Sequence, residues 1–191
     1  MARVGLTADR LAEAAADLAD EVGFDNVTVS ALARGFGVKD ASLYSHVKNV
    51  RDLRTRVAVR AAADFGDRLA AAIAGRAGRD ALVAFADAYR DFALAHPGRY
   101  SATRMPIPPE IVADSPGHLR MMESTAATLR GYPLAEPDLT DAVRLLRSTF
   151  HGFVAIEADE GFQHPRDVAA SWERVVAALD VALRHWPSRV G

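Results

Sequence analysis

Catalytic chemistry has little to build on in this chain. Its six histidines, His46, His96, His118, His151, His164 and His185, include no His-x-x-x-His pair that would set two ligands on one helix face for a metal. Cysteine is absent, which removes thiolate nucleophiles, cysteine zinc sites, iron–sulfur clusters and disulfides. No G-x-S-x-G elbow or Walker loop occurs, and Gly35-Phe36-Gly37 lacks the third glycine and the preceding strand of a dinucleotide site. The expectation is a protein that is not an enzyme and holds no metal or cofactor.

Residues 28–48 offer a different chemistry, that of donors aimed at phosphate and base edges. Tyr44 carries a phenolic O–H, while Lys48 and His46 are nitrogen donors suited to phosphate oxygens. Tyr44 is also readable as a half-buried packing residue with its hydroxyl in water. Over 31–60 the cations Arg34, Lys39, Lys48, Arg51, Arg54, Arg56 and Arg60 face only Asp40 and Asp52. The whole chain has a formal charge of −2, so affinity for a polyanion has to come from this local patch.

Such donors need a rigid mount, and the sequence spells one. A helix-turn-helix requires a small residue where two helices cross, a turn residue tolerant of positive φ, and apolar residues locking the second helix onto the first. Ala33, Gly37, Val38 and Leu43 stand in that order, with Leu32 and Phe36 completing the packing face. Thr7 is an N-cap flanked by a Leu6/Leu11 staple, which predicts a helix over 8–22 ended by Gly23. Thr28, with Val27 and Leu32, repeats the device for a helix over 29–36. After a short segment 40–46, Asn49 caps a long helix whose Leu53, Val57, Ala61, Phe65, Leu69 and Ile73 recur every fourth residue.

All nine prolines lie at or beyond Pro97, and no stretch alternates with period two, so the fold class is all-α with about nine helices. Further helices are predicted over 80–96, ended by Pro97-Gly98, then near 110–114 and 116–130, and over 139–159 and 166–185. A composition of 50% hydrophobic and 25% charged residues over 191 residues supplies a core for one domain or two small ones. Met1-Ala2-Arg3-Val4-Gly5 lacks an apolar secretory core, and no apolar stretch reaches the about 20 residues of a bilayer span. A cytoplasmic protein with no membrane partner is expected.

On Leu6-Thr7, Ala14-Ala15, Gly23-Phe24, Thr28-Val29, Leu32-Ala33, Gly37-Val38, Leu43-Tyr44, His46 and Lys48-Asn49, the chain resembles the TetR family of bacterial transcriptional regulators. The resemblance implies a dimeric repressor, with a DNA-binding head at 1–50, a connecting lever helix at 51–76 and an effector-binding and dimerisation domain at 77–191. Its partners would be a double-stranded DNA operator, a small effector molecule and a second copy of the chain. Thr28, Tyr44, His46 and Lys48 then fall at phosphate-contacting positions, and Lys39, Asp40, Ala41, Ser42 and Ser45 on the base-reading surface. Lys39 stands where a Ser or Thr cap is common, with Asp40 as the alternative cap. Tyr89 to Pro97 and Phe150-His151-Gly152 resemble a subgroup with a Trp-His-Gly motif, Phe150 replacing the Trp.

In the C-terminal half, Phe85, Tyr89, Phe92, Met105, Met121, Met122, Phe150 and His151 could line a cavity for a largely apolar effector, or simply form core. Apolar residues wrap most of 139–156, which predicts burial on two sides. Helices 139–159 and 166–185 are the expected dimer elements, with Phe153 and Val176 as facing residues. A helical adaptor that binds only proteins is the competing reading.

Overall fold

The computed structural model describes residues 6–187, so Met1 to Gly5 lie outside the described residues. Among the described residues there are ten α-helices, one 3-10 turn and no strand: α1 Ala8–Val22, the turn Phe24–Asn26, α2 Val29–Phe36, α3 Asp40–Leu43, α4 Val50–Ile73, α5 Gly78–Ala95, α6 Pro97–Ala102, α7 Pro109–Ala113, α8 Pro116–Leu129, α9 Asp138–Ala158 and α10 Val168–Arg184. None of these helices is long and apolar enough to cross a membrane.

The caps expected at the first helices are made. Thr7 Oγ1 accepts the Arg10 N–H at 3.3 Å, Thr28 Oγ1 that of Ala31 at 3.1 Å, and Asn49 Oδ1 that of Asp52 at 2.9 Å. Asp52 reciprocates by accepting the Lys48 N–H at 2.9 Å. One helix was not anticipated. Pro97 does end α5, but it also occupies the first position of α6, where a missing N–H leaves no acceptor unsatisfied.

The chain divides into two compact units, one of residues 1–67 and 95–120, the other of 68–94 and 121–191. In the first, Leu11, Ala15, Ala19, Val27, Leu32, Ala33, Leu43, Val47, Leu53 and Val57 form one buried core, joined by Ala102 from α6. The α6 helix lies so close to α1 that a Cβ on Gly98 would sit 1.9 Å from the Ala19 carbonyl oxygen. Gly117 makes a similar approach to α4, its virtual Cβ 2.5 Å from Ala63 Cα. Tyr100 meets Phe65 edge to face at 6.2 Å.

The second unit is organised around Phe150, which is fully buried with ring centroids of Tyr89, Trp172 and Phe85 at 5.5, 5.4 and 6.2 Å. Trp172 Nε1 donates to Asp87 at 2.9 Å, and the Arg90 guanidinium lies over the Trp172 ring while forking onto Glu157, with Nε to Oε2 at 2.8 Å. That hydrogen bond raises the Arg90 pKa above its ordinary value, against the cost of burial. Tyr132 donates its hydroxyl to buried Asp180 at 2.8 Å, and burial followed by this bond pushes the phenol upward.

The residues expected to face a partner are engaged within the chain. Val176 is buried, and Phe153 packs at 4.8 Å from Phe162 and 5.0 Å from Trp172. The helices do carry exposed apolar groups elsewhere, Ile156 on α9 at 45% exposure and Val181 on α10 at 58%. A 3.6-residue period places a side chain on a helix face but does not say which of two apolar faces its own chain covers.

Two measurements test this packing. Gly98→Ala should lower unfolding free energy by about 1–3 kcal/mol in urea titrations, because backbone has to move. By contrast Gly35→Ala, where nothing lies within 4 Å of the new Cβ, should be neutral or gain about 0.5–1 kcal/mol from helix propensity. His118 is buried with Nδ1 2.8 Å from Ser115 Oγ, and desolvation lowers its pKa below 6.5. A depressed histidine favours the fold while neutral, so its contribution is complete above 6.5 and lost as pH falls below that value. Thermal melts between about pH 7 and 5.5 should show a smaller drop for His118→Gln than for the unaltered protein.

Candidate nucleic-acid interface

The helix-turn-helix is closed by backbone geometry. Gly37 takes the left-handed conformation at φ 64, its N–H bonding Arg34 C=O at 3.1 Å while the Val38 N–H bonds Ala33 C=O at 3.0 Å. This paired closure turns the chain sharply without stranding carbonyls. Leu43 and Val47 are buried on either side of the turn that follows α3, and Leu43 C=O accepts from both His46 and Val47 at 2.8 and 3.0 Å.

Lys39 is the N-cap residue of α3, without a side-chain cap bond, so the alternative of an Asp40 cap does not hold. Asp40 lies inside the first turn, and its carboxylate accepts the Ser30 hydroxyl, tying α3 back to α2. Ser30 carried no signal in the sequence because the bond spans ten positions and two elements. Lys39, Asp40, Ala41, Ser42 and Ser45, the predicted base-reading set, are all exposed. Ser45 donates its hydroxyl to the Ser42 carbonyl at 2.8 Å, which leaves its oxygen as an acceptor.

Around them stand the predicted phosphate ligands. Tyr44 is 54% exposed, so its ring is not committed to the core. Thr28 accepts a helix N–H through its oxygen and retains its own proton to donate. His46 is half-buried and Lys48 is exposed.

The cations of 31–60 separate into two groups. Arg54 reaches Val27 C=O at 3.3 Å, bonds Asp25 C=O and lies 5.9 Å from the Phe24 ring centroid, so it fastens the 24–27 turn to α4. Arg56 pairs with Asp52 at 3.3 Å, and Arg60 with Asp64 at 3.0 Å and Glu13 at 3.7 Å. Arg34, Lys39, Lys48 and Arg51 are exposed and form no ion pair among the described residues. The charge count alone could not distinguish these groups.

Of the predicted effector-lining residues, the structure brings Phe85, Tyr89 and Phe150 into ring contact, and Phe92 is buried on the same helix as the first two. His151 and Met121 are half-buried and Met122 is exposed. Met105 belongs elsewhere, packing with Ile107 against the core of the first unit. Among the described residues no group of three metal-ligating side chains comes together.

A short helix held rigidly in the open and flanked by uncommitted cations defines a DNA-binding protein of the helix-turn-helix class. Family profiles agree: residues 11–57 match "Bacterial regulatory proteins, tetR family" and residues 82–179 match "Tetracyclin repressor-like, C-terminal domain". The chain is 33% identical over 172 residues to YobS of Bacillus subtilis, an uncharacterized HTH-type transcriptional regulator, covering 88% of each protein. It is 39% identical over 156 residues to the like-described Rv0681 of Mycobacterium tuberculosis, covering 80% of this chain and 70% of that one. The chain belongs to the TetR family, and is a DNA-binding transcriptional regulator rather than an enzyme. Solved structures share its fold. A TetR variant from Acinetobacter baumannii AYE in complex with minocycline superposes with a TM-score of 0.71 at 21% identity, covering 97% of this chain and 100% of that one. BioQ with its double-stranded DNA operator does so with 0.65 at 22%, covering 93% and 99%.

If the free cations meet phosphates, Lys48→Ala and Arg51→Ala should each reduce the slope of log affinity against log salt by about 1. Arg54→Ala should instead lower the melting temperature of the protein, read by circular dichroism.

Proposed function

We propose that the chain is a ligand-responsive repressor that binds a palindromic operator as a homodimer in the cytoplasm. The observation that carries this reading is the exposed surface of α3 and its turn, with Tyr44 and the unpaired cations Arg34, Lys39, Lys48 and Arg51 around it. Thr28, Tyr44, His46 and Lys48 position the head on phosphates, and Lys39, Ala41, Ser42 and Ser45 face the bases, with Asp40 holding α3 in place. The BioQ complex supports the operator.

Dimerisation is assigned to the outward faces of α9 and α10. Ile156 and Val181 are the exposed apolar groups, and Gly152, with nothing within 4 Å of where its Cβ would be, admits a close neighbour. In this scheme 1–50 reads DNA and 51–76 connects. The part of 77–191 outside the head-packed 95–120 takes the effector, an apolar small molecule held near Phe85, Tyr89, Phe92 and Phe150. Minocycline in the A. baumannii TetR variant supports a small-molecule effector. Within the family, Phe150-His151-Gly152, with Phe150 in place of the Trp, supports an assignment to the Trp-His-Gly subgroup.

Selection of duplexes from a randomised pool should enrich a two-fold symmetric sequence with half-sites about 34 Å apart. Tyr44→Phe should weaken binding to it by about 1 kcal/mol through one lost hydrogen bond. Sedimentation should give a dimer at micromolar concentration and a monomer for the Ile156→Asp, Val181→Asp double variant. A pool that emerges unenriched would favour the protein-binding adaptor.

A further inference from the structure

Asp40 stands out on the DNA-reading surface, because it is the one anion in the stretch 39–48 and every phosphate of a duplex repels it. It is exposed and is the first residue of α3, and a recognition helix brings its opening residues closest to base edges. The bond from Ser30 that fastens α3 engages only Oδ2. Oδ1 has no hydrogen bond or ion pair among the described residues, and the neighbouring Lys39 does not neutralise it. The carboxylate is thus held at one oxygen and open at the other. An ionised carboxylate accepts hydrogen bonds and donates none, which makes it selective among bases. In the major groove guanine shows it two acceptors, O6 and N7, and thymine shows O4 beside a methyl group. Adenine sets its N6 amine next to the acceptor N7, whereas cytosine presents its N4 amine alone.

We propose that Asp40 is a specificity-determining residue whose open oxygen accepts from the N4 amine of one cytosine in each operator half-site, with Ser30 as the positioning residue that aims it. Recognition then works largely by exclusion. Opposite guanine or thymine the carboxylate gives up its water and meets another acceptor, so the wrong base costs more than one missing hydrogen bond. Ser30 sits on α2 and spends its proton on Asp40, which restricts the rotation of that side chain and presents Oδ1 in one direction before DNA arrives. The bond that fixes the helix and the atom that reads the base therefore belong to the same carboxylate.

This inference rests on the DNA-binding reading, and the test separates the two. The probe is the duplex that the unaltered full-length protein enriches from a randomised pool, with each cytosine of a half-site replaced in turn by 2-pyrimidinone, which lacks the N4 amine. At one position the replacement should weaken binding about tenfold, and Asp40→Ala should bind parent and analogue duplexes equally there. The weaker base pair is common to both proteins and cancels in the comparison. Asp40→Ala should also bind a duplex with guanine in place of that cytosine more tightly than the unaltered protein does, because a repelling charge is gone; a role confined to holding α3 predicts weaker binding to every duplex. Ser30→Ala should shrink the tenfold effect to about threefold, and Ser30→Thr, which keeps the hydroxyl, should restore it. If Asp40→Ala fails to fold, as judged by circular dichroism, the two Ser30 variants decide the matter. An enriched half-site without cytosine, no position sensitive to the amine, or a sensitivity that survives Asp40→Ala or is unchanged in Ser30→Ala would overturn the inference and leave the DNA-binding reading standing. Failure of the unaltered protein to enrich any duplex overturns both.

Discussion

A helix of four residues cannot hold itself together in water, since nucleation costs more than so short a run of hydrogen bonds returns. The shape of α3 is therefore imposed from outside, by burial of Leu43 and Val47, by the Gly37 closure and by the Ser30–Asp40 bond. Everything the head presents to DNA depends on that imposed shape. The exposed Ala41 and Ser42 are free to vary in type because neither is needed to keep the helix formed, whereas Asp40 is tied to Ser30.

The same dependence runs outward through the first unit. The core that holds α3 is shared with α1 and α4, and those helices are in turn gripped by α6 and the start of α8, where Gly98 and Gly117 bring backbones together. A head that looks in sequence like a self-contained stretch of about fifty residues takes in a second segment from beyond position 94. Glycine is what permits this, since any Cβ at either position would displace a neighbouring backbone.

Local features were legible in the sequence. Thr7, Thr28, Asn49, Gly23 and Gly37 mark helix ends through bonds that span three to five residues, and their spacing alone set the bounds of α1 and α2. Contacts between distant segments were not. Nothing in the spacing says that Arg54 fastens the 24–27 turn while Arg51 stays free, that Met105 joins the head, that Val176 is buried, or that half-buried Phe153 packs on Phe162 and Trp172. Pro97 shows the limit most plainly, because the residue that stops one helix is equally suited to begin the next. For the site, donor types were readable, but which cations are available to phosphate depends on ion pairs that only the folded chain defines.

Trp172 has a consequence of another kind. The chain has two tryptophans, Trp172 and Trp186, and both fall in the second unit, so intrinsic indole emission comes from that unit alone. Trp172 is buried against Phe150 and Phe153, hydrogen-bonded to Asp87 and overlain by Arg90, a setting whose polarity and quenching change with small shifts of α5, α9 or α10. The protein thus has a built-in optical probe at its aromatic centre, while the DNA-reading half is spectroscopically dark at the same wavelength. Events in the second unit can be followed without any label, and a label placed in the first is read free of competing indole emission.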